Sequence, residues 1–111
     1  MLAEPQGESS AVVRHRVLAA RERQARRFEG RGIVCNGQMQ GRDLRSHCRL
    51  DSKGEKLIRG AVGKMGLSAR TYDRLLKVAR TIADLDGRDA IAADDIHEAI
   101  QYRILDQKLR G

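Results

Sequence analysis

The stretch GLSARTYDRLLKVARTIADLDG, residues 66 to 87, constrains the fold most, because both ends and one face of a helix are written into it. Ser68 can accept a hydrogen bond from a first-turn amide, and Gly87 offers a left-handed stop after the last turn. Between them Tyr72, Leu75, Leu76, Ala79, Ile82 and Ala83 recur at spacings of three and four, which places them on one face. Arg70, Arg74, Lys77 and Thr81 fall on the other side. An apolar face of this kind needs covering, and the rest of the chain offers helices to do it. The one proline is Pro5, and the aromatic residues are two Tyr, one Phe and no Trp. A core built from Leu, Ile, Val, Ala and Met suits helix packing better than a sandwich or barrel. The expected fold is all-α, a small open bundle of about four main helices.

The other helices follow from the same signals. Residues 1–8 read as a disordered lead-in, 9–107 as one helical domain and 108–111 as a frayed tail. Ser9 and Ser10 can start a first helix with Val13, Val17, Leu18, Ala25 and Phe28 as its apolar stripe, ending near Gly30. Glycines at 32, 37 and 41 predict a loop, then a short helical turn from Gly41 to Cys48. Ser52 and Glu55 have capping-box spacing ahead of Leu57, Ile58, Ala61, Val62 and Met65. The break at Gly66 is so short that this helix and the next are expected to form an antiparallel or steeply crossed pair. A last helix carries Ile96, Ala99, Ile100 and Ile104 after Ile91.

Within this scheme Arg70 is out of place. It lies in the first turn of the 68–87 helix, where unpaired amides and the macrodipole already make a positive end, and a cation there costs about 0.3 to 1 kcal/mol. Folding does not call for it. Such an end binds anions, and an arginine beside it adds a planar fork suited to phosphate oxygens. The plain alternative is an arginine that bends back to Asp73 or lies in solvent.

The formal charge of +7 points to an anionic partner without selecting one. Arg14, Arg16, Arg21, Arg23, Arg26 and Arg27 spread around the first helix instead of lining one stripe, as solvated side chains do. If DNA is met at all, the residues to meet it are Arg74, Lys77, Arg23 and Arg27, weakly and without sequence preference. There is no phosphate-cradling GxxxxGK[ST] loop, no HExxH and no GxSxG. Cys35, His47, Cys48 and His15 lack the spacing of a zinc site, so no metal is expected, and the two cysteines read as free thiols. His97 reads as a surface histidine. No run approaches membrane-spanning length and no leader pattern opens the chain, which suggests a cytoplasmic protein.

SSAVVRHRVLAARERQARRF, CNGQMQGRDL, LSARTYDRLLKVARTIADLDG and IHEAIQYRILDQ, in that order, resemble the C-terminal region of magnesium-chelatase-like AAA+ ATPases of the ComM/YifB type over roughly residues 9 to 107. The resemblance implies a helical lid that follows an ATP-binding α/β domain. It implies that Arg70, with Ser68 at the head of its motif, matches the sensor-2 arginine that reaches the γ-phosphate. ATP and Mg would then be held by the full-length protein and not by this domain alone. The implied partners are the upstream nucleotide-binding domain and neighbouring subunits of a ring, in a protein linked to DNA processing in competence. The alternative is a basic helical module whose main task is to bind DNA or a protein.

Overall fold

The computed structural model describes residues 9–110. Five α-helices follow in order, α1 Ser10–Arg27, α2 Arg42–His47, α3 Ser52–Met65, α4 Ala69–Leu85 and α5 Ala93–Arg110, with a single 3-10 turn at Asn36–Gln38. No strand occurs among the described residues. The lead-in expected at 1–8 lies outside them, as does Gly111. No helix is long and apolar enough to cross a membrane among the residues described.

The centre of the fold is α4, and its ends are where the sequence places them. Ser68 is the N-cap and its hydroxyl accepts from Thr71 N at 3.2 Å. Gly87 has φ +72°, and Arg88 N donates to Ala83 O at 2.9 Å, closing the helix with a left-handed turn. Leu75, Leu76, Ala79, Ile82 and Ala83 are buried, and Tyr72 packs half-buried beside them. Against this face lie α5, α1, α2 and the 3-10 turn. Phe28, Met39, Ile58 and Ile96 complete the interior.

Three expectations need correction. First, α3 does not pair with α4. Gly66, at φ +62°, ends α3 in a left-handed turn, Leu67 N bonds back to Val62 O, and α3 packs on α5 instead. Second, the cap of α3 is Asp51, whose Oδ1 accepts from Gly54 N at 2.7 Å; Ser52 is already helical, so Glu55 falls one position late for a capping box. Third, the stripe assigned to α1 is buried at Phe28 alone among its five residues. Val13, Val17 and Leu18 are exposed, and α1 enters the interior through the row Ala20, Gln24 and Phe28. Ala20 and Gln24 join Phe28 at helical spacing but add little hydrophobicity, so they do not stand out in the apolar pattern.

The start of α5 is held by a residue the sequence reading did not single out. Asp95 Oδ2 accepts from Ala92 N at 2.8 Å, and Arg88 grips the same carboxylate with both terminal nitrogens at 2.8 and 2.6 Å. Hydrogen bonds to Asp95 and Asp86 push Arg88 above its ordinary pKa.

These local findings separate by size of effect. Ser68→Ala should lower stability by about 1 kcal/mol through loss of the cap. Leu18→Ala, at a residue 57% exposed, should change it by less than about 0.5 kcal/mol. Urea unfolding of both variants checks the pair; a larger loss at Leu18 than at Ser68 would restore the stripe reading of α1.

Candidate functional site

The two ends of α4 are electrically unlike each other, and the candidate site follows from that difference. At the N-terminal end Ser68 satisfies the amide of Thr71, and the Ser68 and Thr71 hydroxyls approach to 3.2 Å. The amides of the first two helical residues have no acceptor within the helix and face outward. Arg70 sits there, exposed. It forms no hydrogen bond or ion pair with Asp73 or with any other described residue. Arg74, one turn further on, is exposed and likewise without a described partner.

At the C-terminal end the helix finishes on Asp84, Leu85 and Asp86, negative charge at the negative pole of the dipole. Arginines from α1 answer it. Arg16 donates from Nε to Leu85 O at 3.3 Å and from a terminal nitrogen to Asp86 at 3.2 Å. Arg23 donates to Gly87 O and to Asp89, both at 2.8 Å. Arg27 grips Asp84 with both terminal nitrogens at 2.9 and 2.7 Å. Their spacing along α1 puts all three on the side facing α4, whereas Arg14, Arg21 and Arg26 are exposed. The aspartates at the end of IADLDGRD were the available signal: the dipole argument that marks Arg70 at one end marks Asp84 and Asp86 at the other.

Asp84 is the hub of a buried polar network. Its side chain is 0% exposed and that of Arg27 12%. Asn36 Nδ2 donates to Asp84 Oδ2 at 2.8 Å and to Thr81 Oγ1 at 3.0 Å, while Asn36 N donates to Gln24 Oε1 at 2.9 Å. Arg80 pairs with Asp84 at 3.2 Å and donates to the carbonyls of His47, Arg88 and Asp89. Burial disfavours the ionised carboxylate, but hydrogen bonds from Arg27 and Asn36 and the charges of Arg80 and Arg27 outweigh it, so Asp84 titrates below its ordinary value. Burial pulls Arg80 below its own ordinary value. The network ties α1, the 3-10 turn and α4 together at the end of α4 opposite Arg70.

Of the residues expected to meet DNA, Arg23 and Arg27 are thus engaged with α4 and its C-terminal turn. Lys77 Nζ donates to Gly37 O at 3.2 Å, and Arg74 alone stands free of described partners. Cys48 is buried, and that burial pushes its thiol up to about 11, far from a reactive thiolate; Cys35 is exposed. His47 lies edge-on to Phe28 at 5.5 Å, and burial together with the charge of Arg27 lowers its pKa. His97 is exposed and lies 3.5 Å from Gln101 Nε2. No three His, Cys, Asp or Glu gather into a metal site among the described residues.

The family model described as magnesium chelatase, subunit ChlI C-terminal, matches residues 7–103. YifB of Escherichia coli strain K12 is 44% identical over 103 residues, which cover 93% of this chain and 20% of that protein. Competence protein ComM of Haemophilus influenzae is 40% identical over 99 residues, 89% of this chain and 19% of ComM. YifB of Salmonella typhimurium is 42% identical over 103 residues. The chain therefore spans about one fifth of the length of these relatives. No solved structure matches significantly. An all-helical chain matched from residue 7 to 103, with relatives at 40% identity and above over nearly its whole length, belongs to the magnesium-chelatase C-terminal family as it occurs in YifB and ComM.

Proposed function

We propose that this domain is the helical lid of an ATP-hydrolysing AAA+ protein and that Arg70 is its sensor-2-type arginine, acting on ATP and Mg held by an upstream domain. The observation that carries the reading is the exposed guanidinium of Arg70 in the first turn of α4, without a described partner, on a helix whose other end is tightly neutralised. An anion brought to that end meets two outward amides, the positive pole of the helix and the arginine fork together. Ser68 keeps the turn in shape by holding the amide of Thr71. A γ-phosphate contacted in this way draws the lid down as one piece, because α1, the 3-10 turn and α4 share the Asp84 network. Loss of the γ-phosphate releases it, and the movement passes to neighbouring subunits of a ring. A link to competence follows the name of the relative ComM, and a DNA-processing role is part of this proposal for the whole assembly. A reading as a stand-alone DNA-binding module is weaker, since Arg23 and Arg27 are committed to α4 and its C-terminal turn.

The test is nucleotide binding and hydrolysis by the full-length protein with Arg70→Ala. Retained affinity for ADP with weakened discrimination of ATP and slowed hydrolysis is expected. Unchanged turnover rejects the assignment.

A further inference from the structure

A second arginine site lies between the first half of α4 and the second half of α5. A hollow of about 160 Å³ opens there, with Leu75, Val78 and Ala99 in its apolar lining and Arg74, Arg103 and Asp106 as its charged groups. The Nε of Arg103 is buried and has no hydrogen-bond acceptor, and Asp106, although it lines the same hollow, does not supply one. One other buried side-chain nitrogen lacks a partner among the described residues, Arg80 Nε, and the rest of that guanidinium is taken up by three carbonyls and Asp84. Arg103 makes no hydrogen bond to any described residue. A guanidinium whose buried Nε–H has no acceptor is a donor site open to an oxyanion.

The shape of the hollow selects the oxyanion. It is smaller than the roughly 300 to 1,000 Å³ of ligand pockets, so a nucleotide does not fit. Its apolar lining suits a methylene stem, and the planar fork matches a carboxylate with two parallel hydrogen bonds. Val78 and Tyr102, 39% and 54% exposed, line this hollow and also a neighbouring groove of about 420 Å³ whose lining continues with Ile82 and Leu85. Apolar surface therefore flanks the charged end on the same helices, the arrangement that receives a protein segment lying along a groove.

We propose that the Arg74–Arg103 hollow receives the carboxylate of a Glu or Asp side chain from another polypeptide segment, with the Val78–Tyr102 groove taking that segment's apolar residues. Thr71, the residue after Arg70, also lines the hollow, so it lies at the same end of α4, but the contact needs no nucleotide. The arginine supplies the direction of the contact and the groove supplies its area.

The side-chain Nε–Hε resonance of Arg103, followed by NMR in the whole chain, tests this with butyrate as a stand-in for the glutamate side chain. Butyrate should shift the resonance saturably in the millimolar range, with at least 5-fold weaker action from acetate and none from butyramide, and Arg103→Gln should abolish the effect at neighbouring groove residues. A stronger response to inorganic phosphate than to butyrate overturns the carboxylate assignment, and a response that never saturates overturns the site. Arg103→Met should leave the melting temperature unchanged or higher, because no hydrogen bond is lost. A marked fall would show that the fold itself satisfies Arg103, and the proposal would be withdrawn.

Discussion

Asp84→Ala is expected to destabilise the domain by about 3 to 5 kcal/mol, the range for removing one partner of a buried ion pair. The total stability of a chain of this size is about 5 to 15 kcal/mol, so the variant should be largely unfolded under mild denaturant. The reason is the charge left behind. Arg27 and Arg80 both point at Asp84, Asn36 spends an amide hydrogen on it, and all three are largely out of water. Asp84→Asn keeps the shape but removes the charge, and should still cost a large part of the same amount. Pairing Asp84→Leu with Arg27→Met should recover stability relative to Asp84→Leu alone, because the stranded cation goes with its partner. Asp84 also sets an acid limit. Its folded pKa lies below the ordinary value of 3.8, so its contribution is complete above about pH 4 and is lost as the pH falls through the depressed folded value. Asp84→Asn should flatten that part of the stability profile. Urea midpoints within error of the parent for Asp84→Ala would show that the network is not what binds α1 to α4.

Arg70→Glu should move stability and turnover in opposite directions. In the isolated domain the substitution replaces a cation at the positive pole of α4 by an anion, which should raise stability by a few tenths to about 1 kcal/mol. Arg70→Ala should give a smaller gain or none. Nothing inside the domain opposes this, since Arg70 has no described partner to lose. In the full-length protein the same changes remove a donor aimed at developing phosphoryl charge, and ATP hydrolysis should fall about 10-fold or more. Denaturant unfolding of the domain and steady-state hydrolysis by the full-length protein measure the two halves. Destabilisation of the domain together with normal hydrolysis would make Arg70 a structural residue.

The helices were legible in the sequence where local signals are strong. Ser68, Gly87 and the six apolar positions between them describe α4 almost completely, because a cap and a periodic face are properties of one segment. Arg70 could be singled out for the same reason. The helix dipole is local, so a charge of the wrong sign can be recognised without knowing what lies nearby. The same argument applied to Asp84 and Asp86 would have asked for cations at the far end. It would not have said which of the α1 arginines supply them.

That choice depends on how helices distant in sequence are laid together. The apolar residues of α1 suggested a buried stripe at Val13, Val17, Leu18, Ala25 and Phe28, but of these Phe28 alone is buried, and the packed face is the row through Ala20, Gln24 and Phe28, with Arg16, Arg23 and Arg27 beside it. Polar contacts fix this interface, and polar contacts leave no hydrophobic period to read. The placement of α3 was equally hidden. A short connection limits the distance between two helix ends but not the direction in which the second departs, and the left-handed turn at Gly66 sends α3 to α5. The sequence by itself therefore determined which segments are helical, where α4 begins and ends, and that Arg70 stands at the end of α4 whose dipole disfavours a cation, since each is decided within a few turns of one helix. The tertiary structure decided which arginines are bound and which are free, because pairing 57 residues apart, as between Arg27 and Asp84, exists only once the helices have met.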